Sequence, residues 1–123
     1  MLYSVESGHY IKKLPHKKEF NRYRARITDL EYNNIVDRLN DMIDGDEIHT
    51  AGWMPGSNWK GTVFEPIYYA CGENVELSGM FFGLIVFKVM MDRDDCWGFG
   101  RYKKDGIDIK SMTYFRLAKC PEE

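Results

Sequence analysis

Aromatic and polar side chains of the kind that line ligand pockets occur in two stretches of the chain. Trp53, Asn58 and Trp59 lie in one glycine-rich loop, and Arg101 and Tyr114 lie on two later segments with the alternation of strands. Tryptophan rings stack on sugars, bases and partner side chains, and pockets combine such apolar surface with a few polar groups. We predict that these five residues bind a small ligand or a partner protein. The alternative is that the aromatic rings fold back onto the core and that Arg101 is a solvated strand charge.

A second candidate surface is basic and would bind nucleic acid. Residues 12–26 include seven lysines and arginines against Glu19, and Arg22, Arg24 and Arg26 alternate with less polar residues, as in a strand with one basic face. Such a face would contact phosphates. The competing interpretation is intramolecular, because the next stretch of the chain holds seven acids and one arginine, and neighbouring segments of opposite charge can neutralise each other. A net charge of −2 also gives no global attraction to nucleic acid.

The third hypothesis is an enzyme with an acid/base pair in the same cleft. Glu65 and Asp92 could form such a pair, although nothing in their spacing singles them out. A thiol nucleophile would need Cys71 or Cys96 near His49, but single cysteines beside apolar runs are typical of packed cores. The three histidines lie in separate segments without metal-ligand spacing. We assign no catalytic residue, no metal and no cofactor, and a non-enzymatic binding module is the favoured hypothesis.

The stretch from residue 75 to residue 92 must position these candidate surfaces. Its sequence, VELSGMFFGLIVFKVMMD, leaves no polar stripe at helical spacing, so a helix here must be enclosed on all sides. Its apolar run is shorter than the roughly 20 residues that a bilayer requires, which favours a buried core helix over a membrane span. Gly79 and Gly83 would then allow a neighbouring element to approach closely, and we expect that element to be a strand face carrying Gly98 and Gly100.

Several further signals place the remaining elements. Thr28 and Glu31 have the spacing of a capping box and begin an amphipathic helix that ends near Gly45. Asp105 and Gly106 separate two alternating runs, which is a strong hairpin signal. The sequence therefore predicts an α+β fold for residues 1–123 as a single domain. An antiparallel sheet, made of the basic N-terminal strand, a strand at His49 and the C-terminal β-hairpin, packs around the buried central helix with the amphipathic helix alongside.

Composition agrees with an ordinary globular domain, with 44% hydrophobic and 29% charged residues. The first residues do not resemble a signal peptide. The three cysteines, Cys71, Cys96 and Cys120, are odd in number and lack a CxxC pair, which predicts free thiols in a reducing cytoplasm. The high aromatic content also makes a homodimer plausible, whereas no membrane partner is expected.

Residues 52–67, 97–102 and 112–115, with the sequences GWMPGSNWKGTVFEPI, WGFGRY and MTYF, resemble small hypothetical proteins of bacterial mobile elements, particularly integron gene cassettes. The similarity covers the C-terminal two-thirds of the chain. That group has no assigned activity, so the resemblance implies a bacterial cytoplasmic origin and no mechanism, and no catalytic residue follows from it.

Overall fold

A computed structural model describes residues 1–46, 48–50, 59–100, 103–104, 107–108 and 113–122 of the chain. The described helices are α1 (Lys17–Arg24), α2 (Asp29–Gly45), α3 (Glu65–Ala70) and α4 (Val75–Asp92). The described strands are β1 (Leu2–Ser4), β2 (His9–Tyr10), β3 (Ile48–Thr50), β4 (Trp97–Gly100), β5 (Lys103–Lys104), β6 (Ile107–Asp108) and β7 (Thr113–Arg116). Helices and strands occupy one α+β unit, which confirms the predicted fold class.

Five of these strands form a sheet in the order β2-β1-β4-β7-β3. Strand β1 runs parallel to β4, whereas β7 runs antiparallel to both β4 and β3. The sheet is therefore mixed, and its N-terminal strand is β1 rather than the basic segment. Strands β5 and β6 pair antiparallel with each other, as predicted for the two sides of the hairpin, and the Asp-Gly pair between them lies outside the described residues.

The predicted basic strand is wrong, because residues 17–24 form helix α1. Phe20 and Tyr23 are spaced three residues apart and are both buried, so they form the inner face of a helix. Both rings contact Phe81 of α4, with centroids at 5.8 Å and 5.6 Å. The basic residues alternate as they would on a strand, but this alternation is coincidental. Burial of Phe20 and Tyr23 on one side requires the spacing of a helix.

Helix α4 forms the centre of the core, as predicted, but the expectation that it is enclosed on all sides is wrong, because Glu76, Gly79 and Met80 are exposed. Phe81, Ile85, Val86 and Met90 are fully enclosed, and helices α1, α2 and α3 all contact α4. Its N-terminus is capped by Asn74, whose side-chain oxygen accepts a hydrogen bond from the Leu77 amide at 3.0 Å. Among the described helices, none has the length and apolar content needed to cross a bilayer.

Helix α2 begins with the predicted capping box. The Glu31 amide donates to the Thr28 hydroxyl at 3.1 Å, and the Thr28 amide donates to the Glu31 carboxylate at 3.1 Å. Ile35, Leu39 and Ile43 form its inner face and are fully buried. The opposite side of α2 is consequently free to carry polar residues toward solvent.

The expected contact between two pairs of glycines is wrong. A Cβ atom at Gly79 or Gly83 would have no described atom within 4 Å apart from the helix itself and its chain neighbours, so no described strand approaches this side of α4. A Cβ atom at Gly98 would lie 2.4 Å from Cε2 of Phe115. The glycine on β4 therefore makes room for an aromatic ring of the neighbouring strand.

Replacement of Gly98 by alanine should destabilise the domain by about 1–3 kcal/mol, because the new methyl group forces the Phe115 ring out of its place. Gly100 lies on the same strand, and a Cβ atom there meets no described atom within 4 Å. Gly100→Ala is thus the matched control and should change the free energy of unfolding by less than about 1 kcal/mol. Urea denaturation measures both, and equal losses would contradict this account.

Candidate functional site

A groove of about 600 Å³ lies between α2 and the C-terminal half of α4. It is lined by Tyr32, Asn33, Val36 and Asn40 of α2, by Lys88, Val89 and Asp92 of α4, and by Arg93, Asp94 and Asp95 of the following loop. We call it the α2–α4 groove. Its volume falls within the range of roughly 300–1,000 Å³ found for small-molecule sites.

The base of the α2–α4 groove is organised by Arg93. Its Nε and Nη2 atoms donate to the two carboxylate oxygens of Asp95 at 2.9 Å and 2.8 Å, which is a bidentate ion pair. Its Nη1 atom donates to the side-chain oxygen of Asn40 at 2.8 Å, and Nη2 also donates to Asp44. The side chain is only 14% exposed. Arg93 therefore fixes the end of α4 against helix α2.

Asp95 is bound by two arginine side chains. Besides the bidentate contact with Arg93, its Oδ2 atom accepts from Arg116 at 2.7 Å, and the Arg116 guanidinium lies 4.6 Å from the centre of the Trp97 ring. Hydrogen bonding from Arg93 holds the pKa of Asp95 far below its usual range, against the opposing effect of burial, and the hydrogen bond from Arg116 lowers it further. A carboxylate that stays ionised in this way is a structural anion and a poor proton donor.

The rim of the groove carries more accessible groups. Lys88 and Asp92 form an ion pair at 2.9 Å on successive turns of α4. Burial raises the pKa of the Tyr32 phenol, so this group stays a neutral hydrogen-bond donor near pH 7. Asn33 and Asp94 are exposed. The lining thus offers amide, phenol and carboxylate groups, and its charge is net negative because three aspartates face Lys88 and Arg93.

A second groove, of about 370 Å³, lies between α2 and α3 and includes Glu31, Asn34, Glu65 and Tyr69 in its lining. Its two carboxylates already have partners. Glu31 belongs to the capping box, and Glu65 accepts from the Tyr69 hydroxyl at 3.1 Å and from the Gly61 amide at 3.2 Å. The hydrogen bond to Glu65 raises the pKa of Tyr69. Glu65 lines this groove whereas Asp92 lines the other, so the structure does not bring together the acid/base pair suggested by the sequence.

The five residues of the sequence-based ligand site fall in different environments. Trp59 is half-buried and meets Phe82 of α4 edge to face, with ring centroids 5.6 Å apart. Tyr114 is 1% exposed and belongs to the core, which is the alternative considered for the aromatic rings. Trp53, Asn58 and Arg101 lie outside the described residues, so their grouping into one site stays a prediction.

Two of the three arginines of the basic segment bind the protein itself. Arg24 donates to the Ile27 carbonyl at 2.9 Å, pairs with Asp29 at 2.7 Å and stacks over the Tyr32 ring. Arg26 donates to the Ala70 carbonyl at 2.9 Å. Arg22 is exposed on α1. The Arg24–Asp29 contact shows that the basic and acidic segments touch where they adjoin, in partial support of the intramolecular interpretation.

The prediction of three free thiols is wrong. Cys96 and Cys120 form a disulfide bond, with their Cα atoms 5.4 Å apart, and Cys71 is buried and free. Burial raises the pKa of the Cys71 thiol, which leaves it protonated and poorly nucleophilic. Two of the three cysteines are brought together only by the pairing of β4 with β7, which sequence spacing does not reveal. Within the described ranges, no group of three or more His, Cys, Asp or Glu residues is arranged to hold a metal ion.

Comparison with known proteins adds no relative: no family model, no curated protein and no solved structure matches the chain. The site must therefore be interpreted from its own geometry. Arg93 and Asp95, which organise the groove, were not singled out by the sequence because the run Asp-Arg-Asp-Asp resembles a solvated charged turn. A signal was present in the spacing of Asn40 and Asp44, which share one side of α2, but their partner is 49 or more residues away.

Replacement of Asp95 by asparagine should lower the free energy of unfolding at pH 7 by about 1–3 kcal/mol, because Arg93 and Arg116 lose their shared anion at a partly exposed position. Asp94→Asn is the matched control, since Asp94 is the exposed neighbour, and should change stability by less than about 0.5 kcal/mol.

The pH dependence gives a second readout of the same variant. The folded-state pKa of Asp95 is depressed below its ordinary value of 3.8, so its stabilisation is present above pH 3.8 and is lost as the pH falls below that value. The difference between the wild-type protein and Asp95→Asn should therefore shrink between about pH 4 and pH 2 in denaturation curves. A difference that does not depend on pH would assign the effect of the variant to packing.

Proposed function

We propose that the chain is a non-enzymatic binding module that recognises a small ligand or a side chain of a partner protein in the α2–α4 groove. The observation that supports this proposal is the fixed polar base of the groove, where Arg93 joins Asn40, Asp44 and Asp95. A site whose polar groups are already held in place loses little entropy when a ligand binds. We favour binding over catalysis because Asp95, the described carboxylate with the largest pKa shift, stays ionised at pH 7. A general acid or base would need a pKa close to the working pH.

The charge of the lining indicates the class of ligand. Lys88 and Arg93 are already paired with Asp92 and Asp95, while Asp94 is exposed at the rim. A ligand with an ammonium or guanidinium group would meet the exposed Asp94 carboxylate there, and the exposed Asn33 amide would accept or donate a further hydrogen bond. We therefore expect cationic ligands to bind more tightly than anionic ones.

Two neighbouring residues of α2 allow a matched test. Asn33 lines the α2–α4 groove and Asn34 lines the α2–α3 groove, and both are exposed. In a thermal-shift assay with arginine, spermidine, citrate and glucose, we expect the two cations to raise the Tm of the wild-type protein. Asn33→Arg should abolish this shift because it fills the groove and adds a positive charge. Asn34→Arg should retain the shift, and neither variant should change the unliganded stability by more than about 0.5 kcal/mol.

Three outcomes would count against this site. Loss of the shift in Asn34→Arg alone would move the site to the second groove. Retention in Asn33→Arg together with loss in Trp59→Ala would move it to the tryptophan loop, where Trp53, Asn58, Trp59 and Arg101 remain the sequence-based candidates. Equal shifts in all variants would indicate a general effect of the probe on stability.

Nucleic-acid binding is the second candidate function, and the exposure of several lysines favours it. Lys13, Lys17 and Lys18 are exposed around the start of α1, where the positive end of the helix dipole adds to their charge, and Arg22 is exposed in its last turn. These side chains would contact the phosphate backbone without reading sequence. They replace Arg24 and Arg26, which bind within the domain, as the residues proposed for this function.

Charge reversal tests the basic surface directly. The double variant Lys17→Glu/Lys18→Glu should lose retention on a column of double-stranded DNA at 50 mM salt, whereas the wild-type protein elutes at higher salt. Glu19→Gln, which removes the acid beside them, should elute later than the wild type. Absence of retention for the wild-type protein at 50 mM salt would remove this function.

The origin and compartment of the protein also remain proposals. The resemblance to integron cassette proteins would give a bacterial source, and the cytoplasm is the compartment that this source implies. In a reducing cytoplasm, thiol buffers would act on the Cys96–Cys120 bond, because disulfides persist chiefly in oxidising compartments. A homodimer stays a prediction from the apolar content of the chain.

A further inference from the structure

The described helices pack against one face of the sheet. No described helix covers the other face. Leu2, Trp97 and Tyr114 belong to the core cluster and define the inner face. Since side chains alternate along a strand, Tyr3, Gly98 and Phe115 point to the opposite side. These three lie in one row of the register. We call this side the outer face.

The row on the outer face is aromatic. Tyr10 of β2 pairs with Tyr3, and the two rings meet edge to face with centroids 5.2 Å apart. Phe115 covers Gly98 from the other end of the row. All three aromatic side chains are half-buried, so the row is neither core nor fully open to solvent.

The segment after β7, residues 117–122, crosses one end of the outer face, and we call it the strap. It starts beside β4, where the Leu117 amide donates to the Cys96 carbonyl at 3.0 Å. Cys96 lies two residues before Gly98 and therefore on the outer side, and its disulfide places Cys120 there as well. The Pro121 carbonyl then accepts a hydrogen bond from the Tyr10 hydroxyl. Since the strand order is β2-β1-β4-β7, the strap reaches from β7 to the far edge strand.

The disulfide is the principal attachment of the strap. Ala118, Lys119, Cys120 and Glu122 are exposed, so the segment buries little apolar surface of its own. The hydrogen bond from Tyr10 is worth about 1 kcal/mol, which is too small to order several residues without a covalent link. Cys96 is 4% exposed whereas Cys120 is an exposed residue, so the bond is accessible from the strap side.

We propose that the Cys96–Cys120 disulfide is a redox latch that holds the strap over the outer face, and that its reduction releases the strap while the rest of the domain stays folded. A thiolate of a dithiol reductant attacks Sγ of Cys120, forms a mixed disulfide and displaces the Cys96 thiolate, which takes a proton from water. The second thiol of the reductant then closes its own disulfide and displaces the Cys120 thiolate. Two electrons pass from the reductant to the two cysteines.

Release of the strap uncovers the Tyr10 end of the aromatic row. The Tyr10 hydroxyl loses the Pro121 carbonyl as its acceptor, and the edge-to-face pair with Tyr3 becomes more exposed. The inner face is unaffected, because neither Cys96 nor Cys120 is in the core cluster that surrounds α4. The latch therefore changes one surface of the protein without changing its core.

Thiol counting is the first part of the test. The full chain is purified without reductant, denatured, and alkylated with iodoacetamide before intact-mass measurement. One alkylated cysteine, identified as Cys71 by peptide mapping, is expected. Three alkylated cysteines in protein exposed to air would overturn the latch.

Amide hydrogen exchange measured by NMR is the second part. Treatment of the folded protein with dithiothreitol should raise the exchange rate of the Leu117 amide, the strap amide that donates to the Cys96 carbonyl, at least tenfold, with little change in α4. Cys120→Ser should reproduce this pattern without reductant, and Cys71→Ser, which keeps the disulfide, should match the oxidised wild type.

Three results would contradict the proposal. Unchanged exchange in the strap after reduction would mean that noncovalent contacts hold it. Collapse of protection in α4 on reduction, or in Cys120→Ser, would make the disulfide a staple of the whole fold. Reduction that occurs only in denaturant would show that the bond is inaccessible in the native protein.

Discussion

The ion pair between Arg93 and Asp95 holds together elements that are far apart in the sequence. Through Arg93 it reaches Asn40 and Asp44 on α2, and through Asp95 it reaches Arg116 at the end of β7. The main chain of the same short loop accepts hydrogen bonds from the amino terminus of Met1, beside β1. These charged groups are partly withdrawn from water, so each is stabilised by its partners and an unpaired one would be destabilising. These hydrogen bonds and ion pairs, as well as apolar packing, therefore fix the position of the helices relative to the sheet.

Apolar packing sets the remainder of the architecture. Helix α4 is largely apolar, so helices α1, α2 and α3 and the inner face of the sheet pack against most of it, whereas the side that carries Gly79 and Met80 is exposed. Aromatic rings make many of these contacts: Phe81 meets rings of α1, Phe82 meets Phe64 and Trp59, and Phe87 meets Phe99 of β4. The α2–α4 groove forms where α4 emerges from this enclosure, and Lys88 and Asp92 are the first polar residues at that point.

Local patterns were sufficient to predict the elements whose signals are local. The capping box at Thr28, the apolar run of α4 and the pairing of the strands on either side of Asp105 and Gly106 each depend on residues close together in the chain, and the structure has all three. The basic segment was mistaken for a strand because charged side chains alternated, although the spacing of Phe20 and Tyr23 already favoured a helix. Contacts between distant residues were not accessible in this way. Neither the pairing of Arg93 with Asp44 nor that of Cys96 with Cys120 can be predicted from local spacing, because each requires the completed sheet and helix layer to bring its partners together.

The edges of the sheet have a consequence for how this protein meets other chains. Its outermost strands are β2 and β3, which span only two and three residues. Unpaired amides and carbonyls along an exposed edge are a template on which a foreign strand can extend a sheet, and very short edges offer too few of them to hold one. Addition of a strand from another molecule to either of these two described edges is therefore disfavoured.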